Sequence, residues 1–397
     1  MTAATAAGRG PRLETLDSLR GIAALMVLTF HIWKIGLFAE PSGWWVYLWR
    51  WTPLNWLVTG RPWVILFFVL SGFVLALALE RGGAAAGWST FALRRFCRIW
   101  LPFAASILLS ALAWALVRPA PIEGLSTWFN DLAWTEPPTP RLVAEHLLMT
   151  GIRGQDSLNP VMWSLVYELR ISFVFPFLWL AVRRWPVAGL VLALLAHLAA
   201  AQIVGCRWDP ACAPFRGEDL ADSLALTGYF ALFFVLGMLL ARFRDTVTER
   251  LARASGGTVA ALSLLVAYSV ILPHVPRLSP VLPADLAFGL GSALAIALAI
   301  ASPAWTRALR LRPLLWLGRV SYSLYLTHNI VLLGTVHLLH GTLGPIPLIV
   351  AVLAFSLLAA ELGYRLVEAP AIRLGQRLTG RRRGAAAGRR RFARGHA

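Results

Sequence analysis

Apolar residues gather into ten runs of roughly bilayer-spanning length, separated by shorter polar, Arg-rich or Pro-rich stretches. The runs cover 16–38, 60–80, 100–117, 161–182, 186–204, 223–241, 258–274, 283–301, 314–337 and 346–367. About 20 apolar residues carry an α-helix across a hydrocarbon core about 30 Å thick. The pattern therefore predicts an all-α membrane protein of about ten transmembrane helices. The first run, "LDSLRGIAALMVLTFHIWKIG" (Leu16 to Gly36), is interrupted by Asp17, Arg20, His31 and Lys34. Ionisable side chains are costly in lipid, so they turn toward a bundle interior or a water-filled cavity. The expected fold is a bundle around a polar intramembrane cavity.

The polar residues between the runs orient the bundle. With the N-terminus inside, alternate ends collect most of the 37 Lys and Arg: Arg9 and Arg12; Arg81, Arg94, Arg95 and Arg98; Arg183 and Arg184; Arg242 to Arg253; Arg307 to Arg319; and everything from Arg365 on. Cytoplasmic loops are enriched in this way, so both termini are expected in the cytoplasm. The chain reads as a membrane domain over 1–370 followed by a basic, disordered tail over 371–397, attracted to anionic lipid headgroups. The first run, after a short polar N-terminus, is too long for a signal-peptide apolar region and no small-residue cleavage site follows it, so it reads as a retained span.

Composition agrees: 58% hydrophobic, 14% charged, 18 Trp and a mean hydropathy of +0.66. The net charge of +18 alone would suit a nucleic-acid binder. It is spread over loop ends and the tail rather than one compact basic domain, so nucleic acid is not an expected partner. The three Cys (97, 206 and 212) form no CxxC or Cys/His cluster, and no metal is expected. Cys206 and Cys212 share an outer loop, where the oxidising compartment permits a bridge. The longest outer loop, 118–160, mixes Pro, Trp and both charge signs. It reads either as a plain connector or as a partly ordered cover over a site.

Helical arithmetic sets depth. Arg20 and His31 are eleven residues apart, about three whole turns and about 16 Å, so both lie on one face. With Arg20 at the cytoplasmic edge, His31 falls near mid-bilayer. Glu168 lies about 10 Å from Val161, His328 about 21 Å from Leu314, and Ser71 about 16 Å from Gly60, all at comparable depth. An imidazole there suits general-base chemistry, a carboxylate can orient it, and Arg suits phosphate. Blander roles stand beside these. Arg94, Arg95 and Arg98 also fit positive-inside anchoring, Ser71 helix packing, and His328, Tyr322 and Tyr325 contacts between helices or at the interface.

The pieces "LDSLRGIAALMVLTFHIW", "FFVLSGFVLALAL", "FALRRFCRIWLP", "NPVMWSLVYE" followed by "FP", "LGRVSYSLYLTH" and "YRLVEAPAI" occur in this order on separate spans. Together the chain resembles the membrane-bound acyltransferases called acyltransferase family 3. The resemblance implies transfer of an acyl group, commonly acetyl from acetyl-CoA or another acyl-CoA, to a hydroxyl. It also implies a multi-pass location in the bacterial inner (cytoplasmic) membrane. Acceptors in the family are mostly carbohydrates such as cell-envelope glycans, exopolysaccharides or lipid-linked sugars; some members acylate macrolides. Arg20 and His31 match the signature pair, and Glu168, the Arg94/Arg95/Arg98 cluster, Tyr322, Tyr325, His328 and Glu368 match recurrent positions. The implied site has His31, Arg20 and Glu168 in catalysis, with Glu168 orienting His31. Arg20, Arg94, Arg95 and Arg98 hold the donor, and Ser71, Trp163, Tyr322, Tyr325 and His328 face the acceptor. The paired aromatics that often follow the Glu are replaced here by "ELRISF", with Arg170 and Ser172. A transporter remains the rival function, because mid-bilayer polar groups also suit solute passage.

Overall fold

The computed structural model describes residues 11–38, 44–81, 87–154, 157–206, 214–271 and 283–380. Cys212 and residues 381–397 of the expected tail lie outside them. The described residues form helices joined by loops, with two isolated backbone bridges and no strands among them.

The helices are α1 (Pro11–Lys34), α2 (Trp44–Trp51), α3 (Arg61–Glu80), α4 (Trp88–Val117), α5 (Thr127–Leu132), α6 (Pro140–Leu148), α7 (Met162–Arg184) and α8 (Pro186–Ile203). They continue with α9 (Leu220–Arg242), α10 (Arg244–Ala252), α11 (Gly256–Tyr268), α12 (Ala284–Ala301), α13 (Pro303–Leu309), α14 (Arg312–Leu339) and α15 (Pro345–Gly363). Eight helices among the described residues are long and apolar enough to cross a membrane: α1, α3, α4, α7, α8, α9, α12 and the helix that begins at Pro345. Each of the ten expected runs contains a helix. The two outside the set of eight are α11, which has 13 residues, and α14, which has 28 but carries Arg319, His328, Asn329 and His337.

The apolar α3 is the best-buried span and packs against α1, α7, α9 and α12. At the other extreme, α8 turns Val187, Leu192 and Leu195 outward. A helix satisfies its own backbone, so such an apolar surface suits lipid. Two helix pairs touch backbone to backbone through glycine, as small residues allow in membranes. In α3 and α9 a Cβ at Gly72 would strike the carbonyl of Phe234, and one at Gly237 that of Val69. In α1 and α14 a Cβ at Gly21 would lie 2.5 Å from the Gly318 nitrogen, and one at Gly318 would strike the Asp17 carbonyl.

Beyond α15 the chain makes one wide π turn over Tyr364–Glu368 and continues as α-helix to Gly380. Pro370 lies two residues beyond Glu368; lacking an N–H and crowding the preceding turn, it favours such a local widening. Ordered structure thus runs ten residues past the expected boundary at 370. The reason is a buried stripe at four-residue spacing. Ala371 and Thr379 are buried, and between them a Cβ at Gly375 would lie 3.1 Å from that of Cys97.

Loop 118–160 contains α5 and α6, capped at their starts by Ser126 and Thr139, whose hydroxyls accept from Phe129 N and Leu142 N. It is pinned to the end of α1: Ser126 Oγ donates to the Lys34 carbonyl at 2.5 Å, and Ser126 N to the Ile35 carbonyl at 3.0 Å.

Candidate active site

One helix, α1, carries both ends of the site. The Gly21–Gly318 contact fixes the register of α1 against α14. His31 and His328 each lie ten residues further on, about 15 Å along each helix. There His31 Nδ1 meets His328 Nε2 at 2.8 Å. His328 is fully buried, and its Nδ1 lies 3.0 Å from the Leu324 carbonyl. A carbonyl only accepts, so Nδ1 of His328 carries hydrogen. In the neutral pair His328 Nε2 is then the acceptor, His31 Nδ1–H the donor, and His31 Nε2 keeps a free lone pair. Trp128, from loop 118–160, stacks on the His31 ring with centroids 5.2 Å apart and planes 13° from parallel.

Glu168 is bound elsewhere. Its Oε1 accepts from Arg95 Nη2 at 2.8 Å and from Ser71 Oγ at 3.2 Å. Arg95 is itself buried and also donates twice to Ser172 Oγ, at 3.1 and 2.9 Å. The partner of His31 is therefore His328 and not Glu168 as the sequence suggested. A carboxylate within reach of a guanidinium is held there by a charge-assisted bond.

At the end of α1 that carries Arg20, a cavity of about 490 Å³ is lined by Arg20, Arg81, Arg94, Arg95 and Arg98, with Ser71, Thr90, Gln376 and apolar side chains; among the described residues no carboxylate lines it. Arg94 is braced by Thr379 at 2.9 Å. The charges around Arg98 are those of Arg20, Arg95, Glu368 and Glu168. Glu368 accepts from Ser323 Oγ at 2.7 Å. A second cavity, of about 20 Å³, is lined by Arg20, Glu168, Ser164, Ser321, Tyr322 and Tyr325 among others. Arg20 lines both. The small one reaches Tyr325, whose ring centroid is 5.9 Å from that of His328.

Such a five-arginine recess, at the other end of α1 from an imidazole pair, can hold a polyanionic headgroup and present its far end to a base. Comparison with known proteins says which chemistry this is. The family described as an acyltransferase domain, acyltransferase 3, matches residues 13–365. The chain belongs to this acyltransferase family. The acyltransferase is 30% identical over 407 residues to "Acyltransferase MdmB" of Streptomyces mycarofaciens, covering 94% of each chain. It is 27% identical over 191 residues to "Nodulation protein 10" of Rhizobium leguminosarum bv. viciae, covering 47% of this chain and 49% of that one. No solved structure matches.

The remaining expected site residues of the acyltransferase divide by position. Tyr322 and Tyr325 line the small cavity but have committed hydroxyls: Tyr322 donates to the Ile99 carbonyl at 2.8 Å, and Tyr325 bonds Ser164 Oγ at 2.7 Å. Trp163 does not join them. It packs among Phe68, Tyr167, Phe215 and Phe230 in the aromatic core, away from the imidazole pair. Arg170, one of the two departures from the family pattern, braces α7 to α9 and to loop 118–160 through Ser223 and the Thr150 carbonyl. Ser172, the other, completes the shell of Arg95. Sequence reading missed Trp128, Arg81 and Gln376. Trp128 is one of 18 Trp and lies in a loop without periodicity; Gln376 lies in the stretch assigned to the tail.

Proposed function

We propose that this acyltransferase moves an acyl group, acetyl in the simplest case, from acyl-CoA to a hydroxyl of a carbohydrate acceptor. The observation that carries this reading is the hydrogen-bonded pair His31–His328 on the same helix face as Arg20, above an arginine-lined cavity. CoA carries three phosphates, and five guanidiniums without a lining carboxylate suit them. Arg20, Arg94 and Arg98 hold the phosphates, while Arg95 keeps Glu168 and Ser71 in place. The pantetheine arm extends along the path that Arg20 shares with the small cavity, toward Tyr325.

The acceptor approaches from the outer face, under the loop that carries Trp128. Its hydroxyl donates to His31 Nε2. As the oxygen attacks the thioester carbonyl, its proton passes to Nε2, and the resulting imidazolium remains bonded through Nδ1–H to His328 Nε2. The carbon–sulfur bond then breaks, and the thiolate recovers the proton from His31. The products are the ester and free CoA, with no metal required. We further infer ten spans, both termini in the cytoplasm, and a bacterial inner membrane setting, on the Arg distribution.

The test uses the purified protein in proteoliposomes. Release of free CoA from acetyl-CoA that depends on an added glycan or lipid-linked sugar supports the reading. Solute flux without thioester consumption would support the transporter instead.

A further inference from the structure

Asn329 follows His328 on α14 and is only 1% exposed, yet among the described residues neither its Oδ1 nor its Nδ2 has a hydrogen-bond partner. Burying an amide unpaired leaves its full desolvation penalty uncompensated. A leucine of similar branched shape would avoid that cost, so the amide calls for a partner that the resting protein does not contain.

The helix places it. Tyr322, Tyr325 and Asn329 are three and four residues apart and fall within about 60° of one another around α14. The two tyrosines line the small cavity, and Asn329 continues their face one turn further out, about 6 Å beyond Tyr325. That is the level at which His328 meets His31. Neighbouring donors are already committed. Tyr322 gives its proton to Ile99, Tyr325 is bonded to Ser164 and Val161, and Ser71 gives its proton to Glu168. Asn159 gives its Nδ2 to the Leu326 carbonyl at 3.0 Å, while its own Oδ1 is unpartnered, so the two asparagines do not satisfy each other.

From this geometry we infer that Asn329 Nδ2 is the oxyanion donor of the site: it donates to the thioester carbonyl oxygen as that oxygen takes on charge during attack by the acceptor hydroxyl. The inference rests on the acyl-CoA reading above. A pre-aimed, water-excluded amide N–H is strongest where charge develops, and loss of one such donor costs about 10²–10³ in kcat. The bond requires no change in the protonation of Asn329. When the tetrahedral carbon collapses and expels the CoA thiolate, the oxygen becomes the ester carbonyl and leaves.

The test measures acetyl transfer in proteoliposomes by the wild type, Asn329→Leu and Asn329→Ala, with thermal unfolding of each. Asn329→Leu is expected to melt at or above the wild-type temperature, because it removes two orphaned polar atoms. Both variants should lose about 10²–10³ in kcat with KM for acetyl-CoA within a few-fold of wild type. The alanine variant keeps the test valid should the leucine fail to fit. Variants that fold and retain kcat within about threefold overturn the inference while leaving the acyl-CoA reading intact; a buried water satisfying the amide would give that result. A wild type that consumes no acyl-CoA overturns both.

Discussion

His31 and His328 are hydrogen-bonded at 2.8 Å although 297 residues separate them in the chain. Each lies ten residues beyond a glycine of the α1–α14 contact. The backbone carbonyl of Leu324 holds His328, and through it the tautomer of His31. A positioning role for His328 follows. Replacing it with Leu should lower kcat by about 10²–10⁴, the range for impaired general-base catalysis, with KM for acyl-CoA little changed. Steady-state kinetics separate this from a binding defect.

The register itself is open to test. A methyl at Gly318 would strike the α1 backbone, and one at Gly21 would meet that of α14. Overpacking of this kind costs about 1–3 kcal/mol and forces helices apart. Gly318→Ala should therefore lower the melting temperature and reduce activity far more than an alanine at Gly256, which has open space around it. Thermal unfolding and turnover measured on the same preparations check both effects.

Arg20 lines both cavities, and its planar fork is what a lysine lacks. Arg20→Lys should lose at least about tenfold in kcat/KM, and Arg98→Ala should raise KM for acyl-CoA by a similar factor. In the wild type a dephosphorylated acyl-CoA should be the poorer donor, and the Arg98 variant should discriminate less between the two. Parallel KM determinations with both donors measure this.

Arg95 and Glu168 form a buried ion pair whose halves differ little in exposure. Removing one partner leaves the other charge uncompensated, which costs about 3–5 kcal/mol. Glu168→Leu should therefore destabilise strongly, and Arg95→Met combined with it should recover part of the loss. A double-mutant cycle by thermal or denaturant unfolding gives the coupling.

Trp128 stacks on the His31 ring of the imidazole pair. Trp128→Ala should reduce turnover about tenfold or more, because the ring orients His31, and a cation–π contact with the imidazolium contributes about 0.5–2 kcal/mol. Trp128→Phe should retain most of it. Turnover of the two variants is the check.

Much of this architecture was legible before any coordinates. Hydropathy marks the runs because lipid admits only helices that satisfy their own backbone. Depth along a helix follows from a constant rise, so Arg20, His31, Ser71, Glu168 and His328 could be ranked by level. Lateral neighbours were not legible, because they depend on which faces pack. Four of the five fall into two bonded groups, His31 with His328 and Ser71 with Glu168, which also binds Arg95, while Arg20 borders both cavities. The pairing of Gly21 with Gly318 that decides the first group leaves no periodic signal. Trp128 lay hidden in a loop, where no helical arithmetic applies. The helix beyond Pro370 was obscured by its arginines, although Ala371, Gly375 and Thr379 already carried a helical spacing.

The central claim is that the Nε2 of His31 accepts the proton of the attacking hydroxyl. The most direct measurement is transfer of labelled acetyl from acetyl-CoA to an acceptor hydroxyl by purified His31→Ala protein with the same thermal unfolding profile as the wild type. The account predicts that transfer falls by at least about 10² while acetyl-CoA still protects the variant against unfolding. Transfer at the wild-type rate by that folded variant would contradict it.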